Sequence, residues 1–106
     1  MFSKHYAKYY ELFNQDKPYK KEIKFIYEWA NKPKRILDIG PGTANYWEYY
    51  PLDVFIKGME ISEDMINLSN YKDSIVCASP PDFSKIKGHY GLTTALFNVV
   101  NYIPKH

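Results

Sequence analysis

The chain has 106 residues, of which 45% are apolar and 18% aromatic, and its formal net charge is +2. This length accommodates one domain with its own core, and the composition is not that of a disordered chain. The basic residues are 13 Lys and the single Arg35, whereas nucleic-acid binders usually present a denser basic patch that contains Arg. We therefore expect one folded domain, residues 1–106, that does not bind nucleic acid.

The sequence also bears on location. No stretch approaches the roughly 18 consecutive apolar residues of a membrane span, and the first ten residues contain no apolar leader segment. Cys77 is the single cysteine, and it lies in an apolar run that predicts a buried strand residue. A chain without a disulfide framework suits a reducing compartment. These features predict a cytoplasmic protein that does not associate with membranes.

Two helices are predicted in the N-terminal third. A first helix is expected over 3–14, and aromatic residues recur along one side of it at helical spacing: Tyr6, Tyr9, Tyr10 and Phe13. Pro18 stands where a second helix would begin, because proline is favoured at the first helical position. We interpret residues 1–33 as a helical lid on a core formed by residues 34–106.

From residue 35 onward, apolar strands alternate with short helices. Strands are predicted at 35–39, 54–60, 74–78 and 91–97, and helices at 44–50 and 62–69. Apolar strands separated by helices imply a parallel sheet with helices on both faces. The sequence therefore predicts an α/β fold.

A glycine loop follows the first strand. Gly40 and Gly42 lack a Cβ atom, so a ligand can lie against the backbone, and the helix that follows offers unpaired N–H groups. Dinucleotide-binding loops share this arrangement, but Asn45 stands where their third glycine would be. Asp38, two residues before the loop, would repel a phosphate and attract a positive amino group. Both features disfavour a nicotinamide dinucleotide and favour a ligand with a cationic end.

A second acid stands at the end of the second strand. Glu60 comes 18 residues after Gly42, and this spacing puts it beside the loop at the carboxyl end of the neighbouring strand. A carboxylate at that position can accept both hydroxyls of a ribose. Asp38, the glycine loop and Glu60 together predict an adenosine-type ligand. Tyr46 and Trp47, just after the loop, are interpreted as core or rim residues.

These motifs resemble those of the class I (Rossmann-like) S-adenosylmethionine-dependent methyltransferases, and the resemblance covers essentially the whole chain. Residues 36–44 resemble the first motif of the family, residues 58–66 its second motif, and residues 90–103 its fourth strand and the segment that follows. The Tyr-rich stretch 6–13 is similar to the N-terminal helix of members that methylate small molecules. The resemblance implies a Rossmann-like sheet with the strand order 3-2-1-4.

The resemblance also implies cofactor-binding roles for the loop and its neighbours. Asp38 would lie near the methionine amino group, and Gly40 and Gly42 would let the backbone approach the cofactor. Glu60 would hold the ribose hydroxyls, and Ile61 would pack on the adenine.

Four more positions are implied to contact the cofactor. Phe97, at the end of the fourth strand, would lie close to it, and Tyr6 or Tyr10 would close over its methionine part or face the substrate. Ser79 or Pro80 occupies the place after the third strand where the family often has an acid for the adenine amino group, and we assign the contact to Ser79.

The implied function is methyl transfer from S-adenosylmethionine to a small-molecule acceptor, with S-adenosylhomocysteine as the product. The sequence identifies neither a catalytic residue nor a metal site. The alternative is a truncated, non-catalytic module that binds S-adenosylmethionine or a partner protein. Because the family's sheet has seven strands and this sequence supplies four, we expect a homo-oligomer formed through the exposed edge of strand four, or a chain cut from a longer protein.

Overall fold

The structure is a computed structural model, and it describes residues 19–96. Four strands alternate with two α-helices and two short 3₁₀ helices. The strands are β1 (Arg35–Ile39), β2 (Phe55–Glu60), β3 (Ile75–Cys77) and β4 (Leu92–Thr94). The helices are α1 (Tyr19–Trp29), a first 3₁₀ helix (Asn45–Tyr49), α2 (Glu63–Leu68) and a second 3₁₀ helix (Lys72–Ser74).

The strands form one parallel sheet in the order β3-β2-β1-β4. This confirms the predicted α/β fold and its strand order. The register places Asp38 of β1 between Gly58 of β2 and Thr94 of β4. Parallel strands end at a common edge, so the glycine loop after β1 and the end of β2 are neighbours there.

The core lies on one face of the sheet. Strand alternation and the register put Ile36, Ile56 and Ile75 on this face, and side chains from α1, the first 3₁₀ helix and α2 pack there. Trp47 lies directly above Gly58, where an added Cβ would come within 3.0 Å of its ring. Gly58 therefore leaves room for an indole between the sheet and the helices.

Within residues 19–96, the opposite face of the sheet is covered by a loop and not by helices. The connection between β3 and β4 forms turns there and contains no helix. Its Tyr90 ring stacks with Phe55, and the Arg35 guanidinium lies 4.9 Å from the Tyr90 ring centroid and 4.3 Å from that of Phe55. Helices on this second face stay a prediction.

The helix that follows β2 begins where the sequence indicates. The Ser62 side chain accepts a hydrogen bond of 3.2 Å from the Met65 backbone N–H, which caps α2. The second predicted helix is observed as α1, whereas the first, over 3–14, lies outside the described residues. No helix in the described part of the chain is long and apolar enough to cross a membrane.

Candidate functional site

The glycine loop turns sharply at the carboxyl end of β1. Gly40, Gly42 and Ala44 have φ angles of 68°, 63° and 60°, all in the left-handed region. Glycine adopts this region without strain, whereas Ala44 does so against its Cβ. The Gly40 N–H donates to the Met59 carbonyl at 2.8 Å, which ties the loop to the end of β2. All residues from 40 to 44 are buried.

Glu60 joins the loop to the start of α2. Its Oε1 accepts a hydrogen bond of 2.7 Å from the Gly42 N–H, and its Oε2 accepts one of 2.8 Å from the Ser62 N–H. The side chain is 1% exposed. Burial raises the pKa of Glu60 above its ordinary value, and the backbone N–H donors oppose this rise. The structure thus brings Glu60 to the glycine loop, as the spacing predicts.

Asp38 is the second buried acid of the site. Its Oδ2 accepts hydrogen bonds from the Tyr46 hydroxyl and, at 2.7 Å, from the Trp47 indole N–H. Its Oδ1 accepts one of 2.8 Å from the Thr94 hydroxyl. Burial raises the pKa of Asp38 to about 6. The three donors lower this pKa, and the negative charge of the nearby Glu60 raises it. Asp38 is 1% exposed.

The sequence interpretation missed the partners of Asp38. Tyr46 and Trp47 are buried, as predicted for core residues, but their polar atoms also hold Asp38. A buried phenol or indole generally needs a hydrogen-bond partner. Asp38, eight residues before Tyr46, could have been recognised in the sequence as that partner. No comparable signal marked Thr94, because only the β1–β4 register brings it beside Asp38.

The other predicted site residues fall into two groups. Ile61 and Ser79 are half-buried and lie just beyond β2 and β3, on the same edge of the sheet as the loop. The Ala78 N–H donates to the Glu60 carbonyl at 3.2 Å, which holds these two segments together. The remaining three positions lie outside the described residues: Tyr6, Tyr10 and Phe97.

Cys77 corrects one expectation. The apolar run around it predicts a buried side chain, but Cys77 is exposed. It ends β3, which is an edge strand of the four-stranded sheet, and its Sγ lies 3.7 Å from the Ile61 carbonyl oxygen. Position at the sheet edge, which the apolar run does not encode, decides its exposure.

A cavity of about 250 Å³ opens at the other edge of the sheet, where the strands begin. Aromatic and aliphatic side chains dominate its wall, among them Trp47, Tyr50, Leu52, Phe55 and Tyr71. Neither Asp38 nor Glu60 lines it. The cavity is therefore separate from the loop and its acids.

The described residues contain no cluster of His, Cys, Asp and Glu that could hold a metal ion. Comparison of the sequence with known family models and with curated proteins finds no match to either. The fold and the loop define the class of structure, a Rossmann-like parallel sheet with an acid-flanked glycine loop. The function has to be argued from that geometry.

Proposed function

We propose that this chain binds S-adenosylmethionine at the carboxyl edge of its sheet and acts as a methyltransferase on a small-molecule acceptor. The observation that carries the proposal is the Glu60 carboxylate, which lies within hydrogen-bond distance of the glycine loop at the end of β2. An acid in this relation to such a loop can recognise the hydroxyls of a ribose that lies on the loop.

The hydrogen-bonding capacity of the two acids supports this ligand. A carboxylate has about four acceptor positions. Glu60 accepts from the Gly42 and Ser62 N–H groups, one on each oxygen. The Ile61 N–H also favours its anion, and the carboxylate retains acceptor capacity for a ribose hydroxyl. Asp38 uses three, so one acceptor position on Oδ1 remains for an amino group.

The loop conformation supports the same ligand class. The first motif of the resembled family is usually an acid-x-Gly-x-Gly-x-Gly, and its third glycine falls at Ala44, whose φ is left-handed. The backbone thus follows a path that glycine favours even though the residue is alanine. This agreement in conformation is independent of the two acids.

In the bound state, S-adenosylmethionine supplies an already activated methyl group. The residues of this chain then have to bind, orient and exclude water. Glu60 would hold the ribose, Asp38 would hold the methionine amino group, and Ile61 and Ser79 would border the adenine. Because both acids are 1% exposed, binding requires the surface over the loop to open.

Calorimetric titration of the chain with S-adenosylmethionine and with NAD tests the proposal. We expect binding of S-adenosylmethionine only, and a loss of about tenfold in affinity in Glu60→Gln, since an amide presents fewer acceptor positions. Glu63→Gln, an exposed acid in the first turn of α2, is the matched control and should bind as the wild type does. A wild-type chain that binds no S-adenosylmethionine refutes the proposal.

A second candidate is a non-catalytic module that holds S-adenosylmethionine or a partner protein. The burial of both acids, with protein donors already on every carboxylate oxygen, favours it. Incubation with methyl-labelled S-adenosylmethionine and a small-molecule extract separates the two candidates. Label in the small-molecule fraction supports the methyltransferase, whereas binding without transfer supports the module.

We also propose a cytoplasmic location and self-association through β4. This strand is an edge of the four-stranded sheet, and edges of this kind pair readily with another strand. Thr93→Pro, at an exposed position of β4, should abolish dimers in light scattering. A wild-type chain that stays monomeric at high concentration contradicts self-association.

A further inference from the structure

Two consecutive aromatic residues donate to the same oxygen of Asp38. The Tyr46 hydroxyl and the Trp47 indole N–H both bind Oδ2, and the Thr94 hydroxyl binds Oδ1. The doubly bound oxygen has no acceptor position left. An incoming donor can therefore use only the remaining position on Oδ1.

Packing fixes the positions of both aromatic donors. A Cβ added to Gly58 would lie 3.0 Å from the Trp47 ring, so the indole has no spare room above the sheet, and its centroid is 5.3 Å from that of Tyr71. The Tyr46 ring stacks on Tyr19 of α1 at 5.0 Å. Because Tyr19 and Tyr71 pack against these two rings, contacts above the sheet hold both donors of Oδ2 in place.

A buried carboxylate attracts an amino group strongly only while it is ionised. Burial favours the neutral form of Asp38, and so does the like charge of Glu60. The donors from Tyr46, Trp47 and Thr94 oppose both effects by stabilising the anion. Loss of one donor therefore leaves Asp38 neutral over a wider pH range.

We propose that Tyr46 and Trp47 are positioning residues through which Asp38 selects adenosine ligands that carry a free amino group. This inference rests on the proposed function, because it assumes that the adenosine part lies on the glycine loop. The inference adds the source of the selectivity for the amino group, which is a pair of aromatic hydrogen-bond donors, Tyr46 and Trp47, outside the glycine loop. Ligands that lack the amino group gain nothing from this arrangement.

Titrations of Tyr46→Phe with two ligands test the inference. S-adenosylhomocysteine carries the amino group, whereas methylthioadenosine has the same nucleoside without it. We expect about a tenfold loss in affinity for S-adenosylhomocysteine, which corresponds to one hydrogen bond to a charged group. The affinity for methylthioadenosine should stay within about twofold. The pH below which S-adenosylhomocysteine binding weakens should also rise, because the Asp38 anion has lost a donor.

Tyr50→Phe is the matched control. The Tyr50 hydroxyl is buried and has no hydrogen-bond partner within residues 19–96, so its removal should leave both affinities unchanged. If Tyr46→Phe does not fold, Trp47→Phe removes the other donor from Oδ2 and should give the same selective loss. Equal losses for both ligands, or none for either, overturn the inference. A wild-type chain that binds neither ligand overturns the proposed function instead.

Discussion

The two edges of the sheet hold their charged side chains in different surroundings. At the carboxyl edge, Asp38 and Glu60 are 1% exposed and accept five hydrogen bonds in the described structure, all from uncharged donors. At the amino edge, the Lys34 Nζ lies 3.0 Å from Asp53 Oδ2, with the side chains 72% and 65% exposed. One edge therefore holds buried carboxylates without a cation, and the other holds a cation–carboxylate pair in water.

This difference bears on which charges matter for stability and binding. An exposed ion pair gains little because water screens it and both side chains lose freedom. A buried carboxylate without a cation has only its hydrogen-bond donors to stabilise its negative charge. A change in packing that moves a donor therefore changes the ionisation of the carboxylate. The buried carboxylates of the carboxyl edge are the better basis for a binding function, because the positions of their donors control their ionisation.

Asp38→Ala should produce the largest effect. The substitution leaves the Tyr46, Trp47 and Thr94 donors without their acceptor and opens a small cavity, so we expect a loss of about 4 kcal/mol in the free energy of unfolding. At a pH of about 4, where Asp38 is protonated in the folded chain, Asp38→Asn should change this free energy by only about 1 kcal/mol, because its amide oxygen can accept from Tyr46 and Trp47 while its amide group donates to the Thr94 hydroxyl. Urea unfolding measures both. Equal losses in the two variants would show that the hydrogen bonds from these donors do not account for the stability of the carboxyl edge.

The second-largest expected effect is a pH dependence of the free energy of unfolding that comes from Asp38 at the carboxyl edge. The pKa of Asp38 is about 6 in the folded chain and 3.8 ordinarily. Between these values the folded state binds more protons than the unfolded state, so this group lowers the free energy of unfolding as the pH rises through the interval. Two pKa units correspond to about 3 kcal/mol.

Urea unfolding at several pH values measures this effect, with Asp38→Asn as the control. The wild type should gain stability relative to the variant as the pH falls from about 7 to about 4. The buried Glu60 shifts in the same direction and is present in both proteins, so the effect of its own burial cancels in the comparison. Parallel profiles for the two proteins would contradict an Asp38 with a raised pKa.

Gly58→Ala should have an intermediate effect. Its new Cβ would lie 3.0 Å from Trp47 and 3.2 Å from Ile75, which overpacks the core and should cost about 2 kcal/mol. Displacement of the indole would also weaken its bond to Asp38. Thermal unfolding together with the pH profile checks this, since a purely local clash would lower stability without moving the profile.

Asp53→Asn should have the smallest effect. Lys34 lowers the pKa of Asp53 by hydrogen bonding and charge, but both groups face solvent. We expect no measurable shift in the urea midpoint at about physiological salt. A shift comparable to that of Gly58→Ala would remove the distinction between the two edges.

Local patterns accounted for the strands and for part of the site. The apolar runs marked all four strands, and Ser62 with the two acids after it marked the start of α2, because capping depends on adjacent residues. The spacing from Gly42 to Glu60 was informative because a strand, a short helix and a second strand have characteristic lengths. The observed 2.7 Å contact between the Gly42 N–H and Glu60 agrees with this spacing.

The sequence by itself determined an α/β chain with an acid before a glycine loop and a second acid after the next strand. Only the tertiary structure decided that Thr94 lies beside Asp38, that Trp47 fits above Gly58, and that Cys77 faces solvent. The physical reason is that strand order, register and burial depend on contacts between distant parts of the chain. Those contacts bury Asp38, which raises its pKa, and place three uncharged donors on it, which oppose that rise.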